Sequence, residues 1–370
     1  MASDVTPMTR RTALAGTAAV LVSARAGFAA GPMRAFFVST GAKGHGLYPL
    51  QLDTQSGTMA LGAPNEAILS ATFAAYHPRH RLHYLIKAQP DGRLVVYDAD
   101  WALKADLSSH GDGPCHVALD GSKTWLAVAN YNSGSFALYR LDANGMPQEP
   151  AVVGKDEGSG TNAERQASAH VHWVGFSPDQ RFLYTVDLGN DTVMVAPFDS
   201  AKGIGERIAA YKAEPGEGPR HIGFHPNQPL LFLVSELGNS LTALRRAPDG
   251  RLSRVSRLST LPAGFTGHSQ AAHIVVTRKG DRIYVSNRGH NSIAVFAVGG
   301  DGNLSPLQTI ATGGDWPRFF LLLEDAELLI AANQNSGELQ LFRVAADGRL
   351  ARVGTPVIVP DAMFIGARDI

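Results

Sequence analysis

Residues 217–239, EGPRHIGFHPNQPLLFLVSELGN, place ionisable side chains around two short apolar runs. Arg220 offers a planar fork of donors that suits a carboxylate or a phosphate. Glu236 can accept a proton, and His221 can donate or accept one near neutral pH. These residue types suit general acid–base chemistry on an anionic or carbonyl substrate. Whether they act together depends on which strand ends meet, so the elements that position them must be considered next.

A repeated strand pattern runs through most of the chain. Seven segments each join an apolar run, a turn rich in Asn or Gly and a second alternating run, which predicts a β-hairpin. Six of these hairpins follow a further apolar strand, and intervals of 43, 57, 48, 52 and 46 residues separate the anchor residues Phe73, His116, Trp173, His221, His273 and Phe319. A period of about 50 residues with three or four strands is typical of propeller blades.

The sequence therefore predicts an all-β, seven-bladed β-propeller. The first hairpin lacks a preceding strand, and the C-terminal AMFIGA at 362–367 is expected to supply it, so that N- and C-terminal strands close the ring. A β-sandwich is the main rival, but it does not require the same three-strand phrase seven times. We treat residues 31–370 as one domain.

In such a blade, the start of the first strand and the end of the second strand lie at the same mouth of the central channel. Ionisable and polar side chains concentrate there. The first strands begin near Cys115, His116, His170, His172, Arg220, His221, His273 and Arg318, and the second strands end near Asn130, Asp187, Glu236, Asn287, Arg288 and Asn333. His77 and His225 fall in turns at the opposite face and are interpreted as structural.

Composition and motifs exclude several other functions. The 33 basic and 33 acidic side chains leave no excess of positive charge for nucleic acid. His170 and His172 have the spacing of two zinc ligands on one side of a strand, but no HExxH phrase or acidic third ligand accompanies them, so we predict no metal. Dinucleotide-binding and nucleophile-elbow glycine motifs are absent in context.

The polar loop KDEGSGTN is expected to be flexible, and Cys115, the sole cysteine, cannot form an internal disulfide.

The N-terminus resembles a twin-arginine export signal. Arg10 and Arg11 precede TALAGTAAVLVSARAGFAA, a weakly apolar run that ends in small-residue cleavage options. A membrane anchor is the alternative, but the run is short and Arg25 interrupts it. We predict that residues 1–30 are removed, which leaves no stable membrane span and a periplasmic or secreted protein.

Four phrases occur in order between residues 113 and 296: GPCHVALDGSKTWLAVANYNSGS, SAHVHWVGFSPDQRFLYTVDLGND, GPRHIGFHPNQPLLFLVSELGNS and AAHIVVTRKGDRIYVSNRGHNSI. They resemble the lactonase family of seven-bladed propellers, which includes the cycloisomerase-type 6-phosphogluconolactonases and carboxymuconate lactonising enzyme. The resemblance implies hydrolysis or formation of a lactone without a metal or organic cofactor. It also implies a catalytic set of His172, Arg220, Glu236 and Arg288, with His170 as the neighbouring alternative to His172.

In that set, the two arginines would hold a carboxylate or phosphate and steady the oxyanion, while Glu236 or His172 activates water and the other protonates the leaving alkoxide. Six further residues are predicted substrate contacts: His116, His170, Asp187, His221, His273 and Arg318. The chain departs from the family pattern at His273, where an acidic residue is usual, which places the substrate in question.

The leading hypothesis is a metal-independent, 6-phosphogluconolactonase-like lactone hydrolase whose partner is a small lactone or carboxylated molecule. Export favours a free sugar lactone or an aromatic-derived lactone over a cytoplasmic sugar phosphate. The alternatives are a lactonising cycloisomerase of the carboxymuconate type and a non-catalytic periplasmic propeller that binds a ligand.

Overall fold

The computed structural model describes Met1 and residues 32–88 and 91–367. Apart from Met1, the predicted export signal lies outside the described residues. The first three blades contain the strands β1 (Met33–Thr40), β2 (Tyr48–Asp53), β3 (Thr58–Leu61), β4 (Ala71–His77), β5 (Leu82–Lys87), β6 (Arg93–Tyr97), β7 (Leu103–Ser108), β8 (Pro114–Leu119), β9 (Trp125–Asn130), β10 (Ser135–Leu141) and β11 (Pro147–Lys155).

The fourth and fifth blades contain β12 (Val171–Phe176), β13 (Phe182–Asp187), β14 (Thr192–Asp199), β15 (Gly203–Ile204), β16 (Ile208–Lys212), β17 (Pro219–Phe224), β18 (Leu230–Ser235), β19 (Ser240–Arg246) and β20 (Leu252–Ser259). The last two blades contain β21 (Gln270–Val276), β22 (Arg282–Arg288), β23 (Ser292–Val298), β24 (Leu304–Ala311), β25 (Pro317–Leu323), β26 (Leu328–Asn333), β27 (Glu338–Val344), β28 (Leu350–Ile358) and β29 (Ala362–Ala367). A 3₁₀ turn, Glu324–Ala326, follows β25.

Seven antiparallel sheets confirm the predicted propeller. Six sheets follow chain order, and the seventh has the order β29-β1-β2-β3, so the C-terminal strand completes the first blade as the sequence predicted. The first strand of each sheet contacts the first strands of its neighbours, in the cyclic order β29, β4, β8, β12, β17, β21, β25 and back to β29. These seven strands surround the central axis.

Alternating apolar residues on the inner strands form the core between adjacent blades. The second strands β9, β13, β18 and β26 are buried along their whole length. Three buried tyrosines of second strands tie one blade to the next, because their hydroxyls donate to glycine carbonyls in outer turns of the following blade. They are Tyr84 to Gly145 (2.5 Å), Tyr184 to Gly250 (2.8 Å) and Tyr284 to Gly348 (2.8 Å).

A register shift near the start of every innermost strand positions the site. In β12, Val171 pairs with Asp187 and Trp173 pairs with Val186, which leaves His172 as an extra residue. Such a β-bulge re-aims a side chain. The same shift occurs in the other six inner strands, at or beside Thr72, Cys115, Arg220, Ala272, Arg318 and Met363. We call these seven positions the upper ring.

Candidate active site

Glu236 is the centre of a buried charge cluster at the mouth of the channel. It follows β18, and its side chain is only 2% exposed. Its Oε2 accepts a hydrogen bond from Arg220 Nε at 2.9 Å and forms an ion pair with Arg288 Nη2 at 2.7 Å, while Oε1 accepts a hydrogen bond from Arg165 Nη2 at 2.7 Å. Charge-assisted hydrogen bonds of this length are strong. Three arginines, from two neighbouring blades and the loop between β11 and β12, thus converge on one carboxylate.

Two opposing influences act on the pKa of Glu236. Burial would raise this pKa, but the guanidinium groups of Arg288 and Arg220 hold it well below the usual value of a glutamate. Glu236 is therefore ionised at neutral pH. A carboxylate that is so stabilised and so fully hydrogen-bonded is a weak proton acceptor.

His172 lies beside this carboxylate, with its Nε2 4.0 Å from Glu236 Oε2. Burial lowers the pKa of His172 well below its usual value, and the charge of Arg220 lowers it further. The imidazole is therefore neutral at pH 7 and can accept a proton. Its Nδ1 is 3.9 Å from the sulfur of Cys115, and burial raises the pKa of that thiol to about 12, so the thiol is not an ionised nucleophile.

A cavity of about 330 Å³ opens between these residues. This volume is at the lower end of the range of about 300–1,000 Å³ that is typical of small-molecule sites. Glu236 is its one acidic lining residue within the described part of the chain, and the full described lining consists of Thr72, Ala88, Gly113, Pro114, Cys115, Tyr131, Asn132, Arg165, His172, Glu236, Arg288 and Arg318. A wider depression of about 740 Å³ adjoins it across Thr72 and Ala88.

Arg318 lines the cavity and has no hydrogen-bond or ion-pair partner for its guanidinium group among the described residues. It occupies the upper ring of the seventh blade. Burial lowers its pKa, and repulsion from Arg288 lowers it further. With Arg165, Arg220, Arg288 and Arg318 around the single carboxylate of Glu236, the site has an excess of positive charge. An anionic ligand group would balance it.

Below the upper ring, aromatic side chains close the channel. They come from the next position of each inner strand and pack at ring-centroid distances of 4.3–6.4 Å. We call this set the aromatic plug: Phe73, His116, Trp173, His221, His273, Phe319 and Phe364. His116, His221 and His273 thus lie beneath the cavity and are not among its lining residues. Their predicted role as substrate contacts stays a prediction, while the geometry gives them a packing role.

Four histidines around the channel axis should make the stability of the fold sensitive to acid. Burial lowers the pKa of His116 to about 3, and it also lowers those of His172, His221 and His273 well below the usual value. Their stabilising contribution is therefore present above about pH 6.5, the pKa of an unfolded histidine, and is lost as the pH falls below it. The unfolded chain then binds protons that the folded chain excludes. Each histidine thereby lowers the free energy of unfolding by about 1.4 kcal/mol for each pH unit below that value.

We expect the free energy of unfolding to fall by several kcal/mol between pH 7.5 and pH 5.5, measured by denaturant titration. Asp187 opposes part of this change, because burial and the nearby Asp156 raise its pKa to about 7. The folded state favours protonated Asp187, so the contribution of Asp187 to the free energy of unfolding grows as the pH falls from 7 towards 4. An unchanged or rising stability over the same interval would contradict the expected dominance of the histidines.

The other predicted residues lie at the edge of the site. The ring of His170 stacks on Tyr131 at 4.3 Å, and its Nδ1 is 2.9 Å from the Tyr131 carbonyl oxygen. Asp187 accepts backbone hydrogen bonds from His170, Gly189 and Asn190 at 2.8–3.0 Å, which shapes the turn after β13. A substrate role for His170 and Asp187 stays a prediction.

The two histidines assigned to the opposite face stabilise turns there. His225 Nδ1 accepts hydrogen bonds from the backbone of Asn227 and Gln228, both at 3.1 Å. His77 Nε2 is 3.1 Å from the carbonyl oxygen of Lys123. These contacts agree with the structural interpretation of both residues.

Two further site residues, Arg165 and Tyr131, were not predicted from the sequence. Arg165 lies in the long loop between β11 and β12, downstream of the KDEGSGTN segment. The interval of 57 residues before the fourth blade is the longest of the repeat, and this excess was a signal that an insertion reaches the mouth. Tyr131 follows β9 directly, and its hydroxyl accepts a hydrogen bond from Arg165 Nη2 at 3.2 Å.

The described residues contain no group of three or more His, Cys, Asp or Glu side chains that could hold a metal ion. Nor does the described part of the chain form a helix that could span a bilayer.

The fold and the site define a seven-bladed propeller with one polar, arginine-rich mouth, and the comparisons with known proteins agree. The family model described as "Lactonase, 7-bladed beta-propeller" matches residues 35–366. The chain belongs to this family. It is 34% identical over 337 residues to a 6-phosphogluconolactonase of Bacillus subtilis, an alignment that covers 88% of this chain and 95% of the relative.

Solved structures show the same fold. A protein from Lactobacillus plantarum superposes with a TM-score of 0.83 at 28% identity, covering 90% of this chain and 99% of the other. A periplasmic gluconolactonase of Pseudomonas aeruginosa superposes with a TM-score of 0.81 at 24% identity. This superposition covers 90% of this chain and 98% of the other.

Proposed function

We propose that this protein is a lactone hydrolase that opens a sugar or related lactone by general acid–base catalysis at the mouth of the channel. The observation that carries the proposal is a neutral histidine, His172, beside the ionised Glu236 in a cavity with an excess of guanidinium groups. The relatives support hydrolysis, because the Bacillus subtilis protein is named a 6-phosphogluconolactonase. No observation favours the lactonising or the non-catalytic alternative.

The roles within the site follow from the two ionisation states. Neutral His172 removes a proton from water as the water attacks the lactone carbonyl, and the resulting imidazolium is stabilised by Glu236 Oε2. The guanidinium groups of Arg220 and Arg288 stabilise the oxyanion of the tetrahedral intermediate. The imidazolium then returns its proton to the leaving alkoxide. Of the two candidates for the base, His172 is favoured, because Glu236 is held by three arginines.

The excess of positive charge supports a substrate that carries a phosphate or carboxylate group. Arg318 has no anionic partner among the described residues and lines the cavity, so it is the best-placed group to bind that anion. The sequence predicted an uncharged lactone as substrate because of export. This geometry supports a charged lactone better than an uncharged one.

The test is a comparison of substrates with and without the anion. Purified protein is incubated with 6-phosphogluconolactone, gluconolactone and a muconolactone, and spontaneous hydrolysis is subtracted. We expect Arg318→Met to lower kcat/KM for the charged lactone by about 100-fold, because a charge-assisted pair contributes about 1.5–3 kcal/mol. For gluconolactone we expect a change of less than about threefold, since no anion is bound there.

Arg343→Met serves as a matched control, because this arginine lies on the outer part of the same blade and is exposed. An equal loss on charged and neutral lactones in Arg318→Met would refute the anion-binding role. Absence of any hydrolysis by the wild-type protein across the panel would refute the proposed function itself.

We also propose that residues 1–30 form a twin-arginine-like export signal and that residues 31–370 form the mature propeller domain. The paired Arg10 and Arg11 support this, as does the similarity of fold to a protein named a periplasmic gluconolactonase. Mass spectrometry of the protein recovered from the periplasm tests the proposal, and an intact N-terminus there would count against cleavage.

A further inference from the structure

We propose that Arg165 is a positioning residue that fixes the carboxylate of Glu236 from above and thereby sets the lower pH limit of catalysis. The inference rests on the proposed lactone hydrolysis and adds a fifth residue, from outside the propeller strands, to the site.

The three arginines that hold Glu236 are anchored in different ways. Arg220 Nη1 also donates to the Ala272 carbonyl oxygen at 2.6 Å, and Arg288 donates to the carbonyl oxygens of Gln270 at 3.3 Å and Ala271 at 3.2 Å. These two guanidinium groups are thereby built into β21 and its surroundings. Their side chains are only 3% and 5% exposed.

Arg165 is held by groups of the site alone. Its Nη2 donates to Glu236 Oε1 at 2.7 Å and to the Tyr131 hydroxyl at 3.2 Å. The hydrogen-bonding pattern orients the Gln270 amide so that its oxygen accepts from Arg165 Nη1 at 3.1 Å and its nitrogen donates to Glu236 Oε1 at 3.3 Å. The Arg165 side chain is 31% exposed. It therefore covers the solvent side of the carboxylate.

The loop places Arg165 through its neighbour, Gln166, which is completely buried. Gln166 Nε2 donates to the Leu188 carbonyl oxygen and to Asp191 Oδ1, both at 2.8 Å. Within the loop, Gly160 N donates to the Gln166 carbonyl oxygen at 2.9 Å and Asn162 N donates to Gln166 Oε1 at 3.1 Å. This anchor holds the backbone of the loop beside the mouth, so that the Arg165 guanidinium group can contact Glu236.

Arg165 acts on the carboxylate in two ways. Among the described residues it donates the one guanidinium hydrogen bond to Oε1, so it prevents rotation that would turn Oε2 away from His172. It also adds a positive charge, which lowers the pKa of every neighbouring acid. The titratable and charged groups that face this carboxylate are Cys115 of β8, Tyr131 after β9, His172 of β12, Arg220 of β17, Arg288 of β22 and Arg318 of β25.

The test compares Arg165→Met and Arg165→Lys in the full-length mature protein, with kcat, KM and the pH dependence of kcat/KM as readouts. Removal of a positive charge favours protonated neighbours, so the acid limb of the profile in Arg165→Met should move to higher pH by about half a unit or more. We expect kcat to fall by about 10- to 100-fold with KM changed less than about threefold. Arg165→Lys retains the charge and should restore the acid limb.

Arg207→Met is the matched control. Arg207 also lies outside the long inner strands of the fourth blade and pairs with a buried carboxylate, Asp156, at 2.7 Å, but it does not line the cavity. Its loss should affect stability and leave the acid limb in place. An acid limb and a kcat in Arg165→Met equal to those of the wild type would overturn the inference, whereas a wild-type protein without lactonase activity would overturn the proposed function instead.

Discussion

Replacement of His172 by glutamine is expected to lower kcat for lactone hydrolysis by about 1,000-fold with little change in KM. The amide retains hydrogen-bonding capacity but cannot accept a proton from water, and general acid–base catalysis contributes about 10²- to 10⁴-fold. The 4.0 Å approach of His172 Nε2 to Glu236 Oε2 shows that the imidazole lies where an imidazolium would be stabilised. Steady-state kinetics on the best lactone of the panel measures the effect.

His170→Gln is the control for this result, because His170 is the neighbouring alternative that the sequence left open. Its ring stacks on Tyr131 at the rim and contacts a backbone carbonyl oxygen. We expect its loss to change kcat by less than about tenfold, since no proton transfer depends on it. The opposite pattern, an inactive His170→Gln and an active His172→Gln, would move the base to the rim and reject the proposed roles.

Glu236→Gln is expected to cost both activity and stability. The neutral amide leaves three guanidinium groups in a buried cluster without their common anion, and loss of one member of a buried ion pair typically costs about 3–5 kcal/mol. Without the carboxylate the imidazolium of His172 is no longer stabilised, so kcat/KM should fall about 1,000-fold. Denaturant unfolding and lactone kinetics on the same preparation measure the two effects.

Glu217→Gln separates the two effects. Glu217 is a buried carboxylate of the same blade and contacts Arg257 and Ser240, away from the cavity. We expect this variant to lose stability and to keep its kcat/KM at a temperature where it is folded. If Glu217→Gln lost as much activity as Glu236→Gln, the effect at Glu236 would be one of stability alone.

The sequence was sufficient to predict the propeller, because the pattern of each blade depends only on local alternation and turn chemistry. The closure by AMFIGA followed from a first blade that lacked its inner strand. The shared mouth then brought His172, Arg220, Glu236 and Arg288 together, since strand direction decides which ends meet. These predictions need no knowledge of side-chain geometry.

The sequence pattern could not predict how deep in the central channel each side chain lies. Strict alternation would send consecutive residues to opposite faces of a strand, but the bulge at the start of each inner strand turns a residue such as Arg220 into the mouth while His221 packs below it. Arg165 was missed because the path of a long loop depends on tertiary anchors such as Gln166, which no periodicity reveals. Its effect is nevertheless on the central carboxylate of the site.

The bulges have a consequence for how this fold diversifies. Each blade contributes one upper-ring side chain, from Thr72 to Met363, above an aromatic plug that supplies the packing at the axis. At the upper-ring positions outside the catalytic cluster that line the cavity or the adjoining depression, Thr72, Arg318 and Met363, a substitution can therefore alter what the mouth recognises without removing a member of the aromatic plug. These positions, one to a blade, can be varied separately while the catalytic cluster is kept, which suits the protein to redesign for new lactones.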